Sequence, residues 1–139
     1  MSHFFDALET RPPAQREAAL MAALPGAVAH ARTRTDAFGE LLYAAAVTDR
    51  RALARLPVVR KSELLARQQR DRASDPFGGF SAIGWRGLKA PKGARRVFQS
   101  PGPIYEMQGK ETDSWRMARV LYAAGFRDGD LVHNCFSYH

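Results

Sequence analysis

RRVFQSPGPIYEMQG, from Arg95 to Gly109, is the stretch on which the fold of this chain turns. Valine, phenylalanine and tyrosine suit a pleated surface, whereas Pro101, Gly102 and Pro103 cannot occupy a central ladder. The stretch therefore reads as a strand, a forced turn at Ser100 to Pro103, and a second short strand. Downstream, the spacing predicts a helix over Thr112 to Ala124. Met117, Val120, Leu121 and Ala124 recur at i, i+3, i+4 and i+7, with Asp113, Arg116 and Arg119 on the far side. Gly125 is placed to end that helix in a left-handed turn. Arg127-Asp128-Gly129-Asp130 is a turn, and LVHNCF (Leu131 to Phe136) reads as a buried strand. Strand, helix and strand at these lengths predict a parallel, right-handed βαβ unit. Ligands of open α/β sheets bind at turns beyond the strands' ends. Ser100 to Pro103 is thus the candidate site.

Upstream, helical signals dominate. His3 to Glu9 predicts a short helix stopped at Thr10-Arg11-Pro12-Pro13, with Pro13 acceptable in the first turn of the next. Ala14 to Leu24 is alanine-rich and strongly helical. Pro25-Gly26 interrupts it, and a further helix is expected from Ala27 to Ala46, with Phe38, Leu41, Leu42 and Ala45 on one face. Thr48 is the expected cap of Asp49 to Arg55. Leu56 to Val59 runs extended, and Ser62 is the expected cap of a helix through Gln69. Asp71 to Gly79 is a loop by composition, and Trp85 to Gly93 a basic linker. The fold class is therefore α/β: a mostly helical segment, 1–94, leads into the βαβ start of an α/β domain at 95–139. The whole reads as one truncated domain, whose open sheet edges predict self-association.

The totals narrow the function. A chain of 139 residues, 45% hydrophobic and 25% charged, is in the range of one soluble domain. It has no apolar run of membrane-spanning length and no secretory leader pattern, so a cytoplasmic location and no membrane partner are expected. Cys135, the one cysteine, has no disulfide partner in the chain and is expected as a structural thiol in an apolar strand. The net charge of +7 is concentrated: Arg50 to Arg96 holds thirteen Arg/Lys against three Asp/Glu. Such a middle could attract nucleic acid or a phosphate-bearing ligand. The acidic remainder and the lack of any nucleic-acid motif point instead to a solvated, arginine-rich surface. P-loop, dinucleotide-binding and zinc-protease patterns are missing, SPG is not a GxSxG elbow, and His133 with His139 makes no metal site.

Three segments carry a resemblance. LARLPVVRKSELL (Leu53 to Leu65) has a proline leading into a Lys-Ser-acid-Leu helix start. DPFGGF (Asp75 to Phe80) is a Pro-Phe-Gly segment, and RVLYAAGFRDGDLVHNCFSYH (Arg119 to His139) is a helix, turn and strand with an aromatic end. In order and spacing they resemble the opening part of the phenylacetate–coenzyme A ligases, within the AMP-forming adenylating enzymes. The resemblance covers nearly all of this chain and only the beginning of the family's length. It implies the large N-terminal domain of an acyl-CoA ligase-like fold. It also implies a parent that activates a carboxylic acid with ATP, Mg2+ and coenzyme A as cofactors, through an acyl-adenylate, to a thioester.

The same resemblance places Arg95 to Gly109 at the family's phosphate loop, which usually reads Ser-Ser-Gly-Thr-Thr-Gly-Lys-Pro. Ser100 and Gly102 match it. Pro101 replaces a serine, Pro103-Ile104 the threonines, and Tyr105-Glu106 the Gly-Lys pair. Phosphate nests need free N–H groups and a positive field, and this loop has two prolines and a glutamate. By resemblance Phe136 and Tyr138 are acyl-pocket candidates, with His133 and Asn134 at the strand's end. Phe136 as a core aromatic and His133 as a buried, hydrogen-bonded histidine are the structural alternatives. The family's adenine motif, later acidic ATP ligand and C-terminal catalytic lysine are not among these residues, so no catalytic residue and no cofactor are expected in the fragment itself. The alternative function is a non-catalytic relative binding coenzyme A, a nucleotide or a protein.

Overall fold

A computed structural model describes residues 3–43, 46–85, 93–133 and 135. The chain forms two compact units, Pro12–Ser114 and a second made of Met1–Arg11 with Trp115–His139.

In the larger unit α1 runs from Pro13 to Arg34, opening on Pro13 where a missing N–H costs nothing. It passes through Pro25 and Gly26 instead of breaking there. Both are exposed, and on either side of them Leu24, Val28 and Ala31 pack into a cluster with Leu42 and Val47. Anchoring on both flanks holds one helix together across a lost hydrogen bond. The break falls at Thr35, whose backbone turns extended at φ −135°. Its hydroxyl donates to the Ala31 carbonyl at 2.9 Å and accepts the Phe38 N–H at 3.2 Å. One threonine thus closes α1 and caps α2 (Asp36–Leu41), with Asp36 favourably in its first turn. The single helix expected over 27–46 is therefore two, because a side-chain cap there outcompetes continuation.

The next two caps also differ from expectation. α3 (Arg50–Leu53) is capped by Asp49 rather than Thr48: its carboxylate accepts the Ala52 N–H at 2.7 Å. α4 (Lys61–Arg70) starts after Arg60 rather than Ser62, and Glu63 reaches back to accept the Arg60 N–H at 3.0 Å. In both places a carboxylate three residues or fewer from the free amide supersedes a hydroxyl, as charge-assisted bonds do.

β1 (Arg96–Ser100) and β2 (Ile104–Gln108) form an antiparallel hairpin, with Phe98 opposite Glu106 and Ser100 opposite Ile104. The strand–turn–strand reading of this stretch agrees with that geometry. Among the described residues these two strands are the whole sheet.

In the smaller unit, residues 3–11 form successive turns rather than a helix. The Asp6 carboxylate takes the Leu8 N–H at 2.9 Å, a local bond that competes with helix. α5 spans only Ala118–Ala123, because Asp113 and Arg116 adopt positive φ (53° and 54°) and unwind the expected first turns. Gly125, at φ 100°, closes the helix with the Phe126 N–H reaching the Leu121 carbonyl. Phe5 meets Tyr122 edge-on at 5.7 Å, and Arg119 pairs with Asp6 and, at 3.7 Å, with Glu9. Leu131, Val132, His133 and Cys135 are exposed and not in a strand. The strand expected over Leu131 to Phe136 is thus not formed at these positions, and the described residues contain no parallel pairing. A strand needs a neighbour to satisfy its amides, and none pairs with this segment among the described residues. Cys135 is an exposed thiol, not the buried one expected from an apolar strand.

Candidate functional site: the Ser100–Pro103 turn and its support

The turn joins the hairpin strands at their tip. Ser100 is half-buried and opposite Ile104, while Pro101, Gly102 and Pro103 are exposed. Gly102 adopts φ 151°, and a β-carbon there would sit 3.2 Å from Cγ1 of the buried Ile104. Glycine is the residue this position takes. Of the three residues between the strands only Gly102 retains an N–H, since prolines lack one. Glu106 lies on β2, exposed and opposite Phe98, and Tyr105 is opposite Gln99. The turn offers one hydroxyl and one amide, with neither a lysine nor a nest of amides. These residues do not fit a triphosphate cradle by themselves.

What holds the turn is better built than the turn itself. Gln68, on α4 and only 4% exposed, turns its carboxamide to the outer edge of β2. Its Nε2 donates to the Tyr105 carbonyl at 2.8 Å, and its Oε1 accepts the Tyr105 N–H at 2.9 Å. Pro103 and Tyr105 border a small cavity of about 40 Å3 with Gln68, Gln69, Arg72 and Pro76. The segment after α4 locks Gln68 from behind. Asp75 accepts the Phe77 N–H at 2.9 Å and the Gly79 N–H at 2.8 Å, one carboxylate folding the whole corner. Phe77 is buried, and Gly78, at φ 62°, lies so close that a β-carbon would meet the Gln68 nitrogen at 3.1 Å. The Gly79 carbonyl then accepts the Ala37 N–H at 3.0 Å, tying the corner to α2.

A second clamp joins α4 to α2. Arg67 donates to both Glu40 oxygens, at 2.7 and 3.0 Å, and lies 5.7 Å from the Phe80 ring centre. The Arg67 guanidinium holds the Glu40 carboxyl below the ordinary carboxylate range, and Glu40 in turn raises Arg67. Beside α4, the hydrogen bond from Arg70 lowers Asp71 in the same way. A larger cavity of about 570 Å3 lies between the end of α1 and the 74–85 loop, lined by Arg34, Asp36, Asp75, Ser81 and Trp85 among others.

Ser100 and Gly102 are together on one turn, as expected from their spacing. His133 belongs to the other unit and is exposed, with its Nδ1 3.8 Å from the Cys135 sulfur. Asn134, Phe136 and Tyr138 lie outside the described residues. No group of three or more His, Cys, Asp or Glu among the described residues is placed to hold a metal ion. Among the described residues no helix is long and apolar enough to cross a membrane. Sequence reasoning missed Gln68, Asp75 and Gly78. Gln68 did leave a signal: it stands four residues after Leu64 and three after Leu65, on the inward stripe of α4. Comparison with protein-family models, with curated proteins and with solved structures finds no match for this chain.

Proposed function

We propose that this chain is the opening portion of an acid–thiol ligase of the AMP-forming kind, resembling the phenylacetate–coenzyme A ligases, and inactive by itself. The parent would adenylate a carboxylic acid with ATP and Mg2+ and pass the acyl group to coenzyme A, in the cytoplasm. In that parent the hairpin would be the start of the large α/β sheet. The observation that supports this reading is that two of the resembling segments meet behind the turn. The helix opening with Lys61-Ser62-Glu63-Leu64 supplies Gln68, and the Asp75–Phe80 corner packs against it. Segments matched only by order in sequence thus converge on the stretch that the resemblance equates with the phosphate loop.

A second reading is favoured by the turn itself. With one free N–H and two prolines, it suits a relative that binds coenzyme A, a nucleotide or a protein without adenylating. Pyrophosphate exchange by the uninterrupted gene product, across aryl and aliphatic acids, separates the two. Exchange dependent on one acid supports the ligase and names its substrate. No exchange with any acid, alongside measurable binding of coenzyme A or ATP, replaces it with the non-catalytic reading. The ligase reading also expects the 139-residue chain to self-associate, since Val97 and Phe98 on β1 are each 45% exposed. A monodisperse monomer in light scattering would count against that expectation.

A further inference from the structure

We propose that Gln68 is the positioning residue of the Ser100–Pro103 turn, acting as a substitute strand on the outer edge of β2. A carboxamide has the same donor and acceptor as a peptide group, and Gln68 presents both to one residue, Tyr105. That is the bonding pattern a neighbouring strand would supply at this position. The arrangement is built rather than incidental. Gln68 is buried, Gly78 leaves room for it only by lacking a β-carbon, and Asp75 fixes the conformation of Gly78 through the flanking amides. Tyr105 is two residues from Pro103, so a shift of α4 or of the carboxamide is passed to the turn over a very short span of backbone.

Two consequences follow. The β2 edge is occupied at Tyr105, so the sheet is free to grow only beyond β1. And a ligand that contacts the turn depends on Gln68 without touching it. The second consequence rests on the turn being the site proposed above; the first does not.

The direct test uses the unaltered chain. A scalar coupling across the hydrogen bond, from the Tyr105 nitrogen to the Gln68 carboxamide carbon, should be detectable by NMR, and its absence overturns the proposal. Two variants then separate hydrogen bonding from space-filling. Gln68→Met keeps the volume and loses both bonds, so the Tyr105 amide should exchange about tenfold faster while α1 amides around Val28 stay unchanged. Gln68→Glu keeps an acceptor for the Tyr105 N–H and should exchange more slowly there than Gln68→Met. Equal or slower exchange in Gln68→Met would mean that Gln68 only fills space.

Should the unaltered gene product show no pyrophosphate exchange, the ligase reading fails, and the Tyr105 measurements still decide the role of Gln68.

Discussion

At the scale of single residues, the corner Asp75-Pro76-Phe77-Gly78-Gly79 gives the sharpest expectations. Gly78 holds φ 62°, where any side chain is strained, and a β-carbon would press on the Gln68 and Arg67 backbone at 3.1 and 3.2 Å. Backbone cannot yield as a flexible side chain can. Gly78→Ala should therefore cost about 1–3 kcal/mol in urea unfolding. Gly84 makes the useful comparison: its φ is 71°, yet no atom lies within 4 Å of its would-be β-carbon. Gly84→Ala should cost only the conformational part, about 1 kcal/mol. Equal losses at both glycines would show that the contact with Gln68 does not matter. Glu40 gives a pH expectation of definite sign. Its folded pKa is lowered by Arg67, so its contribution is full above the unfolded value and fades as pH falls through the folded one. The unaltered chain should lose melting temperature on going from pH 5 to pH 3 by more than Glu40→Gln does. Because Glu40 is largely exposed, the difference should shrink in 0.5 M salt.

At the scale of elements, the hairpin was legible because proline and glycine act locally. Pro101-Gly102-Pro103 forbids a ladder wherever the rest of the chain goes, and Ser100 and Gly102 fall on the same turn for that reason alone. The same local rule misled at Pro25. There the helix continues because Leu24, Val28 and Ala31 gain contacts with residues far along the chain, and no window around Pro25 contains that information. Gly102→Ala tests the local rule at the turn. With φ at 151° and Ile104 only 3.2 Å from the added methyl group, it should destabilise the hairpin by about 1–3 kcal/mol. Amide exchange should show the loss in β1 and β2 before α1, and uniform exchange would mean that the turn and the helices unfold together. Capping was half legible. The helices starting near 50 and 61 were expected, but the free amides at their starts are taken by the N-cap Asp49 and by Glu63, three residues past the N-cap Arg60, since ionised oxygens compete better for free amides than hydroxyls. Gln68 was half legible: its spacing from Leu64 and Leu65 puts it on the inward stripe of α4, but nothing in KSELLARQQR names its partner, 37 residues on.

At the scale of the molecule, burial is unevenly divided, and stability should follow it. The buried apolar residues Val28, Ala37, Leu42, Val47, Phe77 and Ile104 all belong to the Pro12–Ser114 unit. The other unit has no buried residue among those described. Its helix α5 is six residues long, well short of what holds together unaided in water. What supports it is a small surface assembly. Phe5 stacks edge-on to Tyr122, Arg127 lies 3.6 Å from the Tyr122 ring centre, and Arg119 bridges to Asp6 and Glu9. Arg119 holds the Asp6 carboxyl below its ordinary range, yet contacts this exposed are screened by salt and worth little each. Amides of α5 should therefore exchange at least tenfold faster than those around Val28, by an opening that leaves the larger unit intact. Arg119→Ala should speed exchange at Phe5 and across Ala118–Ala123 without altering α4, and high salt should move the unaltered chain in the same direction. Should α5 instead prove as protected as α1, its exposed Val120 and Leu121 must be covered in solution. Exchange that slows as protein concentration rises would then identify the cover as a second copy of the chain.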